Sequence, residues 1–414
     1  MSQKITSQKN GGSYFNCDVK RASSRKDAIT TVGIKHIRGQ FGMRVVFMRS
    51  NPISPDPRVE KEVDSLRKNN WDVQILAWDR DSKYKAKVEF LKRAHTIKIT
   101  RFGIPATFGG GFKKNFFPLL RFQLKLFKWL LQHKNSYDII HACDFDTAFV
   151  GTVCAKILRK KVIYDMFDSV TAPFHGPAII GKIVEKVDIA LLNNVDAVII
   201  CTEKRRGQIA KASPKKIEVI YNTPLHVDLN SDLKLNRDKV KIVYVGILAP
   251  ERLIKELVDI VKHNPLYELH IGGFGEYADE LAQIAQQYDN ILFYGKIPYE
   301  KTLALEKSCD IMTAIYDPEV SNHYYAAPNK FYEALMLGKP LIMVKDTGMS
   351  EVVAEHNLGE LIDFNQESLQ KGIEKLIERK KEWPEISRKM KLLYESHYSW
   401  NEMENRIVTL YSHL

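Results

Sequence analysis

One strand–helix–strand unit can be recognised in residues 138–165, which read DIIHACDFDTAFVGTVCAKILRKKVIYD. The apolar runs 138–141 and 162–165 have the length of buried strands, and 147–158 between them has the length and composition of a helix. Two strands joined by a crossover helix lie parallel in one sheet. This unit therefore predicts an α/β fold.

The same alternation of strands and helices continues on both sides of this unit. It begins at the apolar run 44–48 and reaches a strand at 197–201. A second series follows a polar stretch, and its predicted strands lie at 242–245, 268–271, 291–294, 311–314 and 340–344. Such alternation is typical of a parallel sheet covered on both faces. We predict two doubly wound, Rossmann-like domains, with ligands bound in the cleft between them.

The domain boundaries follow from this pattern and from the length of 414 residues, which suits two domains. Residues 1–42 contain few apolar side chains and no sustained period, so we expect a disordered extension, with Met43 as an alternative native start. The expected parts that follow are a first domain at 43–225, a linker at 226–240, a second domain at 241–395 and a final helix at 396–414, whose packing on the first domain is implied by a family resemblance.

The composition excludes several classes of protein. Apolar residues make up 44% and charged residues 27% of the chain, which is typical of globular proteins. No apolar run approaches the roughly 20 residues of a membrane-spanning helix, and no signal peptide is recognisable. Five scattered cysteines without a CxxC pair favour a cytoplasmic protein with reduced thiols and no structural zinc.

Positive charge is concentrated in one part of the chain. The net charge is +12, and residues 81–134 contain thirteen Lys and Arg side chains against Asp81 and Glu89. Within a predicted helix at 116–133, Arg121, Lys125 and Lys128 share one face. Residues 112–134 therefore either bind an anionic membrane surface or form a packed helix with a basic outer face. Because no helix-turn-helix, RNP or zinc-finger pattern is present, we expect no nucleic-acid partner.

Two glycine-containing segments of the second half are typical of phosphate sites. Gly246 follows a strand, and Arg252 and Lys255 lie three residues apart on the predicted next helix, where both can reach one phosphate. A solvent-exposed helix face is the alternative. Gly273 and Gly275 stand between a strand and a helix, where they permit a nucleotide to approach the backbone, or form a tight turn.

The most informative segment is 324–340, which reads YYAAPNKFYEALMLGKP. Pro328 suits the first turn of a helix, where the N–H groups of Asn329 and Lys330 can hold a diphosphate. Glu333 lies about one turn further and can accept hydrogen bonds from the two hydroxyls of a ribose. The alternative is a plain helix with one surface glutamate.

This layout resembles the retaining GT-B glycosyltransferases of glycosyltransferase family 4, from residue 43 to residue 414. The matching segments are PDPRV at 55–59, YDIIHACD at 137–144, VIYD at 162–165, YVG at 244–246, GFG at 273–275, GKIP at 295–298 and the segment around Glu333.

The resemblance implies a different role for each domain. The second domain would hold a nucleoside-diphosphate sugar, with Arg252 and either Lys255 or Lys330 on the leaving diphosphate. Glu333 would bind the ribose, and the backbone near Lys296 and Ile297 would face the base. The first domain would bind an acceptor, expected to be a lipid-linked or polysaccharide precursor. The anomeric configuration of the transferred sugar would be retained, and neither a metal nor a further cofactor would be needed.

The sequence departs from the family pattern at three positions. Where relatives have the first glutamate of Glu-x7-Glu, this chain has Tyr325, and where many have histidine it has Cys143 and Phe167. The remaining acceptor-side candidates are expected near strand ends; they are His141, Asp144, Asp165 and Asp168. His141 is equally consistent with a core histidine.

Other functions remain open on the sequence. Asp144–Asp146 and Asp79–Asp81 match the short DxD pattern of metal-dependent transferases, but both lie in the half that should not hold the donor, so we predict no metal. An epimerase or hydrolase acting on a nucleotide sugar would need a carboxylate cluster. The missing first glutamate also permits a non-catalytic partner of another transferase.

Overall fold

The structure is a computed structural model, and it describes residues 42–84, 88–90, 97–107, 111–168, 178–227 and 238–414. The predicted extension falls outside the described residues except for residue 42, and so does most of the predicted linker. All the contacts described below lie within one unit, Arg44–Leu414.

The first lobe is built on an eight-stranded sheet with the order β3-β4-β2-β1-β5-β6-β7-β8. Neighbouring strands are parallel except for the antiparallel pair β3 and β4. Strand β1 lies near the centre of the sheet, and the later strands lie outward on both sides of it. The strands are β1 (Arg44–Arg49), β2 (Asp72–Asp79), β3 (Val88–Phe90), β4 (Lys98–Gly103), β5 (Ile139–Cys143), β6 (Lys161–Met166), β7 (Ala197–Ile200) and β8 (Ile217–Val219).

The second lobe repeats this architecture with six parallel strands in the order β11-β10-β9-β12-β13-β14. Its central strands are almost wholly buried because helices cover both faces of the sheet. The strands are β9 (Val240–Leu248), β10 (Tyr267–Gly275), β11 (Ile291–Phe293), β12 (Ile311–Ala314), β13 (Leu341–Val344) and β14 (Gly359–Ile362).

The helices of the first lobe are divided between the two faces of its sheet. They are α1 (Pro57–Lys68), α2 (Gly111–Gln132), α3 (Phe145–Leu158), α4 (Ala178–Leu192) and the short α5 (Arg205–Gln208). Crossovers between parallel strands are right-handed. Because α2, α3 and α4 each connect strands in the same direction across the sheet, they cover one face. Helix α1 runs back the other way and covers the opposite face.

The helices of the second lobe connect its strands in the same manner. They are α6 (Ile254–Lys262), α7 (Ala278–Ile284), α8 (Tyr299–Ser308), α9 (Ser321–Tyr324), α10 (Asn329–Leu337), α11 (Ser350–His356), α12 (Gln366–Glu378) and α13 (Trp383–Leu393). A π-helical turn, Tyr394–Tyr398, follows α13.

The last helix, α14 (Trp400–Ser412), returns to the first lobe and packs on α1. The indole Nε1 of Trp400 donates to Ser65 Oγ at 3.0 Å, and the buried Tyr411 reaches His141 in β5. The prediction of two Rossmann-like domains with a final helix crossing back to the first is confirmed. Among the described residues, none of the helices has the combination of length and apolar character needed to cross a membrane.

Candidate active site

The two lobes contact each other through loops that follow the carboxyl ends of their strands. Thr202 Oγ1, just after β7, donates to the carbonyl oxygen of Tyr325 at 3.2 Å. Asn222 Nδ2 donates to Asn329 Oδ1 at 3.2 Å. In α/β sheets this edge is where ligands bind, so a ligand held at this edge of one lobe can be reached from the other.

Glu333 lies on α10, which begins at Asn329, directly after Pro328, and ends at Gly338 in a left-handed conformation (φ 68°). Its side chain is buried and accepts a hydrogen bond from the Tyr299 hydroxyl of α8. Burial raises the pKa of Glu333, and the charges of Lys330 and of the first lobe's Lys61 partly offset this rise. Lysines of both lobes thus lower the pKa of this carboxyl group.

Lys330 occupies the turn before Glu333. Its Nζ lies 4.8 Å from the centre of the Tyr244 ring. A Cβ on Gly246 would stand 2.6 Å from this Nζ, so a side chain at 246 would displace the ammonium from its position. Burial acts against the charge, but the Tyr316, Tyr244 and Glu333 side chains more than compensate and raise the pKa of Lys330. Lys330 is therefore a cation at neutral pH.

Arg252 ends a short 3-10 turn after β9. Its guanidinium lies 4.1 Å from the Tyr316 ring centre, and Nη1 lies 3.3 Å from His323 Nε2. His323 Nδ1 lies 2.8 Å from the carbonyl oxygen of Asp317, so Nδ1 is the donor and Nε2 accepts from the arginine. Burial is the main cause that lowers the pKa of His323, which keeps its imidazole neutral beside the guanidinium.

These two cations share an electrostatic property. In the described part of the chain, no carboxylate forms an ion pair with Arg252 or Lys330; ring faces and neutral acceptors contact them, and the charges of Glu333 and Glu306 act on Lys330 without forming an ion pair. A cation without an ion-pair partner is available to an anionic ligand.

Lys255 does not join Arg252, contrary to the expectation that one helix carries both. Leu253, in a left-handed conformation (φ 48°), separates the 3-10 turn from α6. The Lys255 ammonium forms a 2.8 Å ion pair with Glu280 and lies 4.3 Å from the Tyr277 ring centre. Its charge is therefore already compensated by α7.

The three glycines also lie elsewhere than expected, within strands rather than after them. Strand β9 continues past Gly246, and β10 includes Gly273 and Gly275, because the two strands stay paired to their ends. A Cβ on Gly273 would lie only 1.9 Å from the Gly246 carbonyl oxygen. Close approach of one strand to the next, at φ 144°, is thus what requires glycine at 273.

The predicted base-facing residues follow β11. Lys296 is exposed, with Nζ 5.3 Å from the ring centre of Phe274, and Ile297 packs beside Gly272. Phe274 is itself half-exposed at the end of β10. An exposed aromatic ring at this edge can stack on a planar base.

In the first lobe, Asp144 directly follows β5 and has a positive φ of 65°. One carboxylate oxygen accepts from the backbone N–H of Phe167 at 2.9 Å, and the other accepts from Arg49 at the end of β1. Burial raises its pKa to about 6 although Arg49 acts in the opposite direction. Strained backbone and a raised pKa together are typical of functional carboxylates.

His141 and Asp165 belong to a buried polar cluster. Arg58 pairs with Asp165 at 2.8 Å and with Glu62 at 3.1 Å, and His141 Nε2 lies 3.4 Å from Asp165. Burial raises the pKa of Glu62 well above its usual value, and lowers that of His141. At Asp165, Arg58 and His141 overcome the effect of burial and lower the pKa.

His141 therefore differs from the expectation that it lies near a strand end. It occupies the middle of β5, is 1% exposed, and stacks on Phe47 with ring centres 4.0 Å apart. Strand pairing with β1 and β6 on either side, and α14 above, enclose it. Its position is that of a core histidine.

Asp168 and Phe167 follow β6. The guanidinium carbons of Arg49 and Arg58 lie 4.1 and 4.6 Å from the centre of the Phe167 ring. Asp168 is largely exposed and accepts from Arg205 at 3.0 Å and from Asn322 of the second lobe at 3.1 Å. Asp168 thus bridges the lobes.

One cluster in the described residues has donor atoms suited to a metal, namely His141, Cys143 and Asp165, whose ligand atoms lie within 4.8 Å of one another. The Arg58 guanidinium already supplies a positive charge to this cluster. The absence of a metal stays a prediction.

Sequence reasoning did not single out Arg49, His323, Tyr299 or Glu306. Arg49 directly follows the predicted strand at 44–48, and this position was a usable signal. His323 is adjacent to segment 324–340 but has no motif of its own. Tyr299 and Glu306 reach Glu333 from a different helix, and burial strongly raises the pKa of Glu306; no local pattern identifies them.

Two family models match the chain in tandem. The model described as Glycosyltransferase Family 4 matches residues 59–223, and Glycosyl transferases group 1 matches residues 228–391. A similar curated protein is the uncharacterised glycosyltransferase MJ1069 of Methanocaldococcus jannaschii, 25% identical in an alignment of 392 residues that covers 83% of this chain and 92% of the relative.

Solved structures share the fold. Sucrose-phosphate synthase of Thermosynechococcus elongatus superposes with a TM-score of 0.71 at 16% identity, over 90% of this chain and 98% of that one. Alr3699/HepE of Anabaena in complex with UDP gives 0.65 at 16% identity, over 90% and 100%. With the tandem family matches and the two facing sheets, these findings identify the chain as a glycosyltransferase of the GT-B type.

Proposed function

We propose that this glycosyltransferase moves a sugar from a nucleoside-diphosphate sugar to an acceptor with retention of configuration. The observation that carries the proposal is a pair of cations that form no ion pair among the described residues: Lys330, one turn before the buried Glu333, and Arg252, whose charge acts with that of Lys330 on the Tyr244 hydroxyl. A diphosphate between the cations would leave its ribose within reach of that carboxylate.

The donor class has support from relatives of the same fold. Alr3699/HepE was solved with UDP and with UDP-glucose. In this chain, the half-exposed Phe274 beside Lys296 and Ile297 offers a flat apolar surface for the base. The backbone N–H groups at the start of α10 add partial positive charge toward the diphosphate.

In the proposed reaction, the bond between the anomeric carbon and the diphosphate oxygen breaks, and an acceptor oxygen bonds to that carbon on the same face. The acceptor proton passes to an oxygen of the leaving diphosphate. Arg252 and Lys330 stabilise the negative charge that develops there, so the protein positions and neutralises rather than reacts. The two cations would supply this charge without a metal.

The first lobe would hold the acceptor beside Asp144. Of the acceptor-side candidates, His141 and Asp165 are buried, whereas the Asp144 side chain retains 26% exposure at the strand edge. His141 and Asp165 would then act by fixing Arg58 beneath Phe167. We propose a lipid-linked or polysaccharide precursor as acceptor, presented where the basic helix α2 meets an anionic membrane.

The decisive experiment compares Glu333→Gln with Glu378→Gln in a thermal-shift screen against UDP, GDP and their sugars. Glutamine keeps the volume of the side chain and an acceptor for Tyr299, while Glu378 is exposed at the end of α12. A bound nucleotide raises the melting temperature by mass action. The wild type and Glu378→Gln should respond to one nucleotide, and Glu333→Gln should not. An equal response of both variants would contradict the ribose role.

Retention and metal independence need their own measurement. The product formed from an α-linked donor should be α-linked by NMR, and transfer should continue with EDTA present. A β-linked product would refute retention, and loss of transfer restored by a divalent cation would refute metal independence.

A further inference from the structure

The outer faces of α2, α3 and α4 carry a second set of apolar side chains besides those that pack on the sheet. The inward stripe of α2 is fully buried; it consists of Phe122, Leu126 and Leu130. The outward stripes recur at helical spacing and stay exposed; they consist of Phe117, Leu120 and Leu124 on α2, Phe149, Val153 and Ile157 on α3, and Ile179 and Ile183 on α4. Phe117 is 70% and Ile179 74% exposed.

These stripes belong to one surface. Helix α3 packs against α2 on one side and α4 on the other. Each helix follows the carboxyl end of a strand and runs back along the sheet, so its first turns lie at the interlobe edge. Phe117, Phe149 and Ile179 lie in the first two turns of their helices, so the apolar surface starts next to the edge that carries Asp144. Leu124 is thirteen residues into α2, so along this helix the surface extends to roughly 20 Å from that edge.

The charges on this surface are almost all positive. Helix α2 contains no acidic residue. On α3, Asp146 lies in the first turn and half-buried; on α4, Asp188 is buried against Tyr164, and Glu185 pairs with Lys211 at 2.6 Å. The exposed cations of the three helices are Lys114, Arg121, Lys125, Lys128, Lys156, Lys182 and Lys186.

We propose that the outer face of α2, α3 and α4 is the surface by which the protein docks on an anionic lipid bilayer. Apolar side chains ringed by cations match the boundary between acyl chains and anionic headgroups. This extends the membrane contact of the proposed function from one basic helix to three helices and rests on it. Docking by this face would bring the acceptor edge of the first lobe to the headgroups.

A groove beside α2 fits the same partner. It has a volume of about 480 Å³ and is lined by Ile104, Pro105 and Leu124 together with Arg121, Lys125 and Lys128. Apolar walls beneath three cations can take part of one acyl chain with its phosphate at the rim.

The test is sedimentation of the full chain with vesicles of phosphatidylcholine alone or mixed with phosphatidylglycerol. Wild type should bind the mixed vesicles, and added salt should weaken the binding. Phe149→Ser/Ile157→Ser, which changes only α3, should weaken it about tenfold. The control Leu266→Ser/Leu392→Ser removes equally exposed leucines (65% and 57%) from the second lobe and should bind like wild type.

Each other outcome overturns the proposal. Wild type that ignores mixed vesicles, or an α3 variant that binds as well as the control, excludes this docking face. A lipid-free dimer that the α3 variant converts to monomers would assign the face to a second copy of the chain. Thermal shifts of the same proteins with UDP and GDP distinguish failure of the docking proposal from failure of the proposed function. A wild type that binds vesicles but neither nucleotide refutes only the proposed function.

Discussion

The two lobes differ in the partners of the cations at their interlobe edges. In the first lobe, Arg58 lies between Asp165 and Glu62, and Arg49 between Asp56 and Asp144, so each cation has carboxylates beside it. In the second lobe, Arg252 and Lys330 lie against tyrosine rings and a neutral histidine. The cations at the first edge are thus held in ion pairs, whereas among the described residues those at the second edge form none.

This difference shows which edge is preorganised for an anion. Ion pairs formed within the protein must be broken before an anionic ligand can use their cations, which costs free energy. Cations held by ring faces keep their charge available and lose few interactions when a ligand arrives. The first lobe is thus better suited to fixing a neutral acceptor, and the second to a diphosphate.

The largest effect is expected from Arg58→Met. This change leaves Asp165 and Glu62 buried without their cation, so we expect a loss of about 3–5 kcal/mol in the free energy of unfolding, measured with urea. The control is Arg388→Met, which removes an exposed arginine paired with Glu385 and should leave the free energy of unfolding nearly unchanged, because solvent screens an exposed ion pair. Similar losses in both variants would show that the first-lobe cluster is not a compensated unit.

The next effect concerns the spare cations. Arg252→Met and Lys330→Met should each weaken binding of the nucleoside diphosphate that stabilises the wild type about 10- to 100-fold, since each removes a charged hydrogen bond to phosphate. Isothermal titration calorimetry measures this directly. Lys255→Met is the matched control, because Glu280 already compensates that lysine, and its affinity should stay near wild type. A large loss in Lys255→Met would restore the shared phosphate site expected from the sequence.

The sequence predicted those features that depend on neighbours along the chain. The strand and helix pattern around 138–165, the helix after Pro328 and its end at Gly338 all follow from local periodicity and turn chemistry. Glu333 is a site candidate for the same reason, since its motif is contiguous.

Features that depend on distant partners were not predictable in this way. His141 is enclosed by Tyr411, which lies 270 residues away in the chain, so its strand alone could not distinguish a site from a core position. The extension of β9 and β10 through Gly246 and Gly273 depends on their pairing. Lys255 pairs with Glu280 of α7 because Leu253, in a left-handed conformation, interrupts the chain between Arg252 and the helix that carries Lys255.

A pH experiment tests the compensation of Asp144. Its pKa, 3.8 in the unfolded chain, is raised to about 6 in the fold, so the native state binds the proton more tightly. Stability contributed by this group is therefore present at low pH and lost as the pH rises from about 4 to 6. Asp144→Asn, compared with wild type by urea unfolding, should gain about 2 kcal/mol relative to it across that window. A pH-independent difference would contradict the raised pKa.

A smaller effect is expected at His323, which orients Arg252 through Nε2. His323→Ala should weaken UDP binding about fivefold by losing one hydrogen bond, and His323→Gln, with an acceptor of its own, should recover part of it. In the background of Arg252→Met the histidine change should have no further effect, since there is no guanidinium to orient. Additive losses in the double variant would instead give His323 a direct role at the ligand.

The smallest effect is expected where the two edges meet. Asn322→Ala removes the hydrogen bond from the second lobe to Asp168 but leaves the ion pair of Asp168 with Arg205 in place. Because Asp168 is well exposed, solvent replaces the lost bond at little cost, and kcat/KM for transfer should fall only about twofold. The control Asn401→Ala alters an exposed asparagine on α14 and should be silent. A loss as large as that of Arg252→Met would mean that lobe contact, and not the uncompensated charge of the second lobe, limits the reaction.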